Sequence, residues 1–306
     1  MHWLLIIIGT FILSISVSNP FYNLLINKRI KLNILYKFIQ QYSDKKISLV
    51  PTMGSLHKGH LKLIEEAKLK SEFVIVSIFI NKKQFNQKED YTKYPRYLSD
   101  DLNRLQKVGV DAVFCPSDDE IYLENHSISI DIGGIDKVLC GKDRLNHFGG
   151  VALIMVKLFS IINPDITFFG LKDFQQFFII KRLVRELNID TEIIGIETIR
   201  EDSGLALSSR NLLLSDGAKK IANNIFTTLC HIKNQILENN KINIDDLLRL
   251  HMKYLVGAGF DSIVYLEIRD EDNLDLCYKF NPNKKYRIFI SGNIEGVRLI
   301  DNYSIY

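Results

Sequence analysis

Two histidines, His57 and His60, stand three residues apart in the segment LVPTMGSLHKGH, which covers residues 49–60. Apolar residues lead into this segment, a proline and two glycines interrupt it, and a periodic apolar stretch follows from Leu61. This pattern predicts a strand, a turn and the start of a helix. Helix N-termini attract anions, and imidazoles placed there can donate hydrogen bonds to phosphate oxygens. The segment therefore indicates a triphosphate site without the ending of a P-loop, although such a histidine pair alone is also common on ordinary surfaces.

Two amides follow the next predicted strand. Residues 73–80 (FVIVSIFI) are apolar on both faces and rich in β-branched side chains, as is typical of a central parallel strand. Asn81 and Gln84 come directly after this strand. Because ligands of open α/β sheets bind beyond the carboxyl ends of the strands, both amides are candidates for hydrogen bonds to a substrate. Either amide alone could instead cap a turn.

Further cationic groups occur at a second strand-to-helix turn and in a later loop. The turn 170–173 (GLKD) follows a predicted strand and carries Lys172, which is a candidate phosphate clamp or a solvated lysine. The loop 200–211 (REDSGLALSSRN) offers two hydroxyls, Ser208 and Ser209, and the guanidinium of Arg210. Arginine can pair with a phosphate through two parallel hydrogen bonds. The alternative interpretation of this loop is a polar linker between domains.

Two other polar segments are less specific. Asp100 and Asp101 stand at the start of a predicted helix. They could complement the helix dipole, or one of them could hold a magnesium ion through water. The loop 141–150 (GKDRLNHFGG) carries Arg144 and His147 ahead of a predicted helix over 151–162.

The elements that must position these residues alternate between strand and helix. This alternation predicts an α/β fold with a doubly wound parallel sheet, and two phosphate-friendly turns suit a nucleotide at a sheet crevice. Beyond Ser215 the pattern changes to two helices and then strands, which predicts a small α+β domain. We expect an apolar extension over residues 1–22, a doubly wound α/β domain over 23–198 and a C-terminal α+β domain over 199–306. The predicted segments include a helix over 31–41, strands over 111–115, 127–132, 165–169 and 191–196, helices over 221–237 and 244–258, and strands over 263–268 and 286–291.

Composition narrows the functional class. The chain has 306 residues, of which 46% are hydrophobic, so it can bury a full core. The net charge of +3 is too small to indicate a nucleic-acid partner. The four cysteines form no CxxC pair and are typical of thiols in a reducing, cytoplasmic compartment.

The N-terminal residues are apolar. No charged residue occurs from Trp3 to Ile26, but polar residues and a proline shorten the run below the roughly 20 apolar residues of a spanning helix. Lysines and an arginine follow this run, and they would keep the downstream chain on the cytoplasmic side of a membrane. We expect an extension without a part in the chemistry and do not favour membrane contact by it.

Six segments together resemble the pantothenate synthetases, the pantoate–β-alanine ligase family. In chain order they read VPTMGSLHKGH, VSIFINKKQF, YPR with the acids after it, HFGGVALIMVKLF, NPDITFFGLKDFQQ and GLALSSRN. The resemblance covers residues 31 to the C-terminus. It implies a Rossmann-like domain closed by a C-terminal lid, ATP as co-substrate with Mg²⁺, pantoate and β-alanine as substrates, and a homodimer.

The resemblance also implies a two-step reaction. Pantoate attacks the α-phosphorus of ATP to give pantoyl adenylate and diphosphate, and β-alanine then displaces AMP to give pantothenate. The family treats the residue at His60 as a proton donor, and the catalytic candidates are His57, His60, Lys172 and Arg210. The implied ATP-binding residues are Met53, Gly54, Ser55, Leu56, His57, Lys58, Gly59, His60, Gly170, Leu171, Lys172, Asp173, Ile199, Leu207, Ser208, Ser209 and Arg210. The candidates for binding pantoate and β-alanine are Gln84, Gln176, Asn81, His147 and Arg144, and the candidate metal ligand is Asp100.

Three positions depart from the family pattern. Leu171 stands where the family usually has glutamate, Lys82 where it has proline, and Leu145-Asn146 where it has Pro-Gly. Two alternatives stay open: another nucleotidyltransferase that shares the HxGH turn, and a membrane-tethered nucleotide-binding protein without catalysis, which the apolar N-terminus and Leu171 suggest.

Overall fold

The computed structural model describes the backbone of residues 4–8, 11–15, 39 and 42–306, and side chains for residue 39 and residues 42–306. The chain divides into two compact units. Unit 1 comprises Met1–Leu171 and Gln175–Glu197, and unit 2 comprises Lys172–Phe174 and Thr198–Tyr306. The predicted helix over 31–41 lies outside the described residues, apart from residue 39.

Unit 1 is built on a sheet whose five parallel strands are β3 (Ile47–Thr52), β4 (Phe73–Ile78), β5 (Ala112–Cys115), β6 (Ile166–Gly170) and β7 (Glu192–Ile196). Their order is β5-β4-β3-β6-β7, so the chain reverses its direction across the sheet between β3 and β6. This is the order of a doubly wound nucleotide-binding fold, in which ligands bind at the reversal point. The predicted fold class is confirmed.

The central strands form because their residues are apolar on both faces. Leu49, Val50, Ile75 and Val76 are fully buried, and helices from both sides of a parallel sheet normally provide that cover. The helices described in unit 1 are α1 (Lys58–Lys70), α2 (Lys88–Lys93), α3 (Leu98–Val108), α4 (Asp118–Ile121), α5 (Cys140–Asp143), α6 (His147–Ile162) and α7 (Phe174–Glu186), the last of which begins with a residue of unit 2.

Two further strands, β1 (Leu4–Ile8) and β2 (Phe11–Ile15), extend the sheet at its β5 edge. The two strands pair with each other in antiparallel fashion, and β1 runs parallel to β5. The strand predicted over 127–132 is wrong, because those residues lie in an irregular segment. The edge of β5 that such a strand could have joined is occupied by β1. Among the described residues, no helix is long and apolar enough to cross a membrane.

Unit 2 combines helices with a small antiparallel sheet. Its described helices are α8 (Asp216–Ala222), α9 (Asn224–Glu238) and α10 (Ile244–Gly257). Its strands β8 (Ser262–Asp270), β9 (Tyr286–Ile294) and β10 (Val297–Ser304) are adjacent in chain order. Buried isoleucines and leucines of both layers, including Leu229, Ile232 and Ile288, form its core. The sequence pattern did not predict β10, whose last residues are polar.

Candidate active site

The histidine turn joins β3 to α1, as the sequence predicts. His57 is the N-cap of α1, and its Nδ1 accepts a hydrogen bond from the backbone N–H of Gly59 at 3.1 Å. The Nδ1 of His60 accepts in turn from the backbone N–H of His57 at 3.2 Å. A backbone N–H can only donate, so neither Nδ1 carries a proton in these bonds. In the neutral rings the proton is therefore on Nε2, so Nε2 of each imidazole is a donor and not an acceptor.

The two rings lie close together, with centroids 4.1 Å apart and planes inclined by 34°. Two Nε2–H donors on neighbouring rings at a helix N-terminus suit a ligand with several neighbouring oxygen acceptors. A triphosphate is such a ligand. Lys58 is exposed as the first residue of the helix, whereas Leu56 is buried in the core of unit 1.

The carboxylate of Asp101 holds the backbone of this turn. Its two oxygens accept the N–H groups of Ser55 and Leu56, each at 2.7 Å. Gly54 has a φ of +79°, a conformation that favours glycine, and a Cβ atom there would lie 3.0 Å from the Asp101 carboxylate. Asp101 therefore fixes the conformation that carries the histidines.

This support of the histidine turn by Asp101 is a role that the sequence pattern did not indicate. Its side chain lies in the first turn of α3 and is only 2% exposed. Burial raises the pKa of this carboxyl, while the N–H groups of Leu56 and Ser55 oppose that rise. The neighbouring Asp100, predicted as a metal ligand, is exposed. The described residues contain no group of three or more histidines, cysteines or acids able to hold a metal ion, so a metal ligand at Asp100 stays a prediction.

Asn81 is saturated with hydrogen bonds inside unit 1. Its Oδ1 accepts from the backbone N–H of Lys83 at 3.2 Å and from the hydroxyl of Tyr122 at 2.7 Å. Its Nδ2 donates to the carbonyl of Gly150 and to Oε1 of Gln84, both at 3.0 Å. Burial raises the pKa of Tyr122, which keeps its hydroxyl protonated as a donor. An amide offers two donors and two acceptor sites, and all four are used here.

Because all four hydrogen-bonding sites of the Asn81 amide are used, Asn81 has a role other than the predicted contact with substrate. The N–H of Lys83 and the carbonyl of Gly150 cannot exchange their donor and acceptor roles, so they fix which way the Asn81 amide points. The atom of Gln84 that faces Nδ2 must then be its oxygen. Asn81 therefore orients Gln84, and direct substrate contact by Asn81 stays a prediction.

The orientation of Gln84 leaves its Nε2 as the outer atom. That nitrogen lies 2.9 Å from the sulphur of Met53, which is a weak acceptor. Gln84 thus offers a donor to an oxygen of an organic acid, and its contact with pantoate stays a prediction. Gln84 is also the last residue of a 3₁₀ turn over Lys82–Gln84.

His147 and Arg144 hold the backbone of Gln84. The guanidinium of Arg144 donates to Nε2 of His147 at 2.9 Å and to the carbonyl of Gln84 at 3.3 Å. Since arginine has no acceptor, Nε2 of His147 carries no proton, and its Nδ1–H donates to the same carbonyl at 2.6 Å. His147 is 6% exposed. Both residues thus position a substrate-binding candidate, and their own contact with substrate stays a prediction.

The two adjacent glutamines of α7 have different environments. Gln175 is buried, and its amide bonds to the N–H of Cys140 and to the carbonyls of Ile135 and Val138. These contacts hold the segment before α5. Gln176, the predicted pantoate ligand, is only partly buried.

The lysine turn begins at the end of β6 in unit 1 and continues into unit 2. Gly170 ends β6, and the Leu171 side chain lies against β7 so closely that a Cβ atom at Gly195 would be 2.4 Å from its Cδ2. The hydrophobic side chain at Leu171 is therefore accommodated by packing against the sheet. In unit 2 the side chain of Lys172 is 18% exposed, and its ammonium lies 3.6 Å from the Asp173 carboxylate.

The predicted loop residues of unit 2 lie around a short 3₁₀ helix over Ser209–Leu213. The hydroxyl of Ser208 caps this helix by accepting from the N–H of Arg210 at 3.2 Å. The N–H of Leu207 donates to the carbonyl of Ile199 at 3.0 Å, which closes the loop at its other end. Unit 1 thus holds the histidine, glutamine and Asp100 candidates, whereas Lys172 and the loop 199–210 belong to unit 2.

Comparison with known proteins identifies a family. A model of the pantoate–β-alanine ligase family matches residues 27–304. A pantothenate synthetase of Carboxydothermus hydrogenoformans is 43% identical over 265 residues, covering 86% of this chain and 93% of that protein. A pantothenate synthetase of Ruthia magnifica is 44% identical over 260 residues, covering 84% and 90%.

Solved structures agree with this match. The pantothenate synthetase of Thermus thermophilus superposes with a TM-score of 0.82 at 34% identity, covering 89% of this chain and 98% of that one. A pantoate–β-alanine ligase of Francisella tularensis, complexed with β,γ-ATP and β-alanine, has a TM-score of 0.75 at 35% identity, covering 90% and 96%.

Proposed function

The chain belongs to the pantoate–β-alanine ligase family, and from this premise we propose how its residues join pantoate to β-alanine with ATP. In the first step a carboxylate oxygen of pantoate attacks the α-phosphorus of ATP. The bond to the bridging oxygen breaks, and diphosphate leaves with its electron pair. In the second step the amine of β-alanine attacks the acyl carbon of pantoyl adenylate, loses a proton, and AMP departs.

The first step builds negative charge around phosphorus. Donors and cations already aimed at that charge stabilise it without reorganisation, and removal of one such donor typically costs on the order of 100- to 1,000-fold in rate. We assign this stabilisation to the Nε2–H groups of His57 and His60, the ammonium of Lys172 and the guanidinium of Arg210. His60 is also the proposed proton donor to the leaving oxygen.

The observation that carries the assignment is the pair of backbone N–H bonds to Nδ1 of the two histidines, from which their tautomer follows. Both rings use Nδ1 to accept a backbone N–H, which leaves Nε2–H as a donor on each. Gln84 complements them, because its fixed amide offers Nε2 as a donor to an oxygen of pantoate. Gln176 is the second proposed contact with pantoate.

The proposal also includes a Mg²⁺ ion, a homodimer and a cytoplasmic location. Mg²⁺ would accompany ATP, with Asp100 as a ligand through water, since carboxylates bind magnesium in that way. The homodimer follows only from the family resemblance, and the cytoplasmic location follows from the cysteine pattern. Sedimentation of the purified protein tests the dimer. The role of Asp100 as a magnesium ligand is tested by measuring pyrophosphate release as a function of magnesium concentration in the native protein and in Asp100→Asn.

The decisive assay is AMP formation from ATP with pantoate and β-alanine, omitting each substrate in turn. Pyrophosphate release that needs pantoate but not β-alanine supports the adenylate. Pyrophosphate release that does not depend on pantoate would instead favour another nucleotidyltransferase. ATP binding without formation of AMP would favour a non-catalytic protein.

We expect His60→Ala to abolish adenylate formation while the protein still binds ATP weakly. His231→Ala, at an exposed position of α9, serves as the matched control and should keep full activity. Full activity of His60→Ala would contradict the assignment.

A further inference from the structure

The segment Lys172–Phe174 lies between two stretches of unit 1 in the chain but packs with unit 2. The Nδ2 of Asn302, on β10, donates to the backbone carbonyl of Lys172 at 2.8 Å. The ring of Phe174 packs edge-on to Phe289 with centroids 5.7 Å apart, and the guanidinium of Arg287 lies 4.3 Å from the Phe174 ring centroid. The lysine turn is therefore attached to the sheet of unit 2.

The contact between Asn302 and Lys172 has a fixed polarity. Nη1 of Arg287 donates to Oδ1 of Asn302 at 2.7 Å, and a guanidinium has no acceptor. A backbone carbonyl can only accept, so the amide of Asn302 cannot turn over without losing both bonds. Arg287 is itself only 4% exposed and donates through Nε to the carboxylate of Glu271 at 2.9 Å. Glu271, Arg287 and Asn302 thus form a chain of bonds that ends on the lysine turn.

The preceding residue of β10 holds the other cationic segment of unit 2. The carboxylate of Asp301, 3% exposed, accepts two hydrogen bonds from the guanidinium of Arg200, at 2.5 and 3.0 Å. Arg200 also donates to the carbonyl of Gly204 at 3.1 Å and forms a β-bridge with Ala206. These contacts fix the loop just ahead of Ser208–Arg210. Adjacent residues of one strand therefore anchor both phosphate-binding candidates of unit 2.

We propose that Asn302 is a positioning residue for Lys172. The proposal rests on the phosphate-binding role of Lys172 given above. A lysine ammonium sits on a flexible four-carbon stem, so its position during the reaction depends on where the backbone holds its Cα atom. The bond from Asn302 fixes that backbone, while Asp301 fixes the serine–arginine loop relative to the same strand.

The test is Asn302→Asp, which keeps the size of the side chain and its acceptor for Arg287. It replaces the donor with an oxygen that faces the Lys172 carbonyl, so the two acceptors repel each other. A displacement of about 1 Å near reacting groups can cost about 100-fold in rate. We therefore expect pantoate-dependent pyrophosphate release at saturating substrates to fall about 100-fold. Asn302→Ala removes the bond without repulsion and should lose less activity.

Asn293→Asp is the matched control, because Asn293 lies on the neighbouring strand β9 and its side chain donates to the Ser262 hydroxyl at 3.0 Å. This variant should keep native activity. Unfolding by urea shows whether each variant is folded at the assay temperature. If Asn302→Asp does not fold, the milder Asn302→Ala provides the same comparison.

A double-mutant cycle with Lys172→Ala separates positioning from a general loss of structure. If Asn302 acts through Lys172, Asn302→Asp should slow the Lys172→Ala enzyme less than about threefold, on the order of the error of such cycles. An equal loss in both backgrounds would overturn the proposal. Native activity of Lys172→Ala would instead show that the proposed function of Lys172 fails. Native activity of Asn302→Asp beside an inactive Lys172→Ala would refute the role of Asn302 alone.

Discussion

The orientation of the Gln84 amide can be tested by Gln84→Glu. In the native chain Oε1 accepts from Asn81 at 3.0 Å, and Nε2 is the outer atom. Glutamate has nearly the same shape and keeps an oxygen for Asn81, but it replaces the outer donor with a second oxygen. The substitution therefore changes only the outer atom that faces pantoate, from a hydrogen-bond donor to an acceptor.

The expected rise in the KM for pantoate is large because two free-energy costs add together. Loss of a hydrogen bond to a charged group costs about 1.5–3 kcal/mol. Two carboxylates about 4 Å apart repel each other by up to about 4 kcal/mol at an effective dielectric constant of about 20. The first term alone corresponds to about 10- to 100-fold in affinity. With part of the repulsion added, we expect the KM for pantoate to rise at least about 100-fold.

The assay is pyrophosphate release as a function of pantoate concentration at saturating ATP. The KM for ATP should change little, and Gln106→Glu, at an exposed position of α3, is the matched control. Lowering the pH from about 8 to 6 should reduce the defect relative to the native enzyme, because a buried glutamate beside another carboxylate protonates more readily and then offers an O–H donor. A native KM for pantoate in the folded variant would refute the role of Gln84 as a hydrogen-bond donor to pantoate.

Two further predictions concern the supports of the site. Gly150→Ala should destabilise the protein by about 1–3 kcal/mol in urea unfolding and raise the KM for pantoate, because a Cβ atom there would lie 2.3 Å from the Lys83 carbonyl and 2.9 Å from the backbone nitrogen of Gln84. Gly134→Ala, where no atom lies within 4 Å of the added Cβ, should match the native protein. The raised pKa of Asp101 means that its contribution to stability is fully present below its ordinary value of 3.8 and is lost as the pH rises through the folded value. Asp101→Asn lacks this titration, so its unfolding free energy should rise relative to that of the native protein as the pH increases from about 4, and an unchanged difference would contradict the linkage.

The sequence predicted the central sheet and the histidine turn because both leave local patterns. Buried parallel strands appear as continuous apolar runs, and the HxGH turn follows one of them. The strand over 127–132 was predicted wrongly because an alternating pattern says nothing about whether a neighbouring strand is available. The edge of β5 already carries β1.

The supporting residues could not be found in this way, since their partners are distant in the chain. Asp101 contacts a turn 45 and 46 residues before it, and Asn302 contacts a carbonyl 130 residues before it. In the sequence alone Asp101 is one of two acids at a helix start, and Asn302 is one asparagine in a C-terminal strand that was not predicted. The only available signal for Asp101 is that it lies one residue from Asp100, so a helix turns the two carboxylates toward different environments.

Backbone hydrogen-bond partners decide which atoms of several candidate side chains donate and which accept. The donor or acceptor identity of a side-chain amide or a neutral imidazole is ambiguous until a partner fixes it. In this chain the fixing partners include backbone N–H groups for His57 and His60, and a backbone N–H and carbonyl for Asn81, which passes the choice on to Gln84. A backbone N–H always donates, a backbone carbonyl always accepts, and neither group titrates. The donor and acceptor assignments therefore hold as long as the histidine rings remain neutral. The departures at Lys82 and Leu171 leave these assignments intact, because the fixing backbone groups belong to other residues, namely His57, Gly59, Lys83 and Gly150.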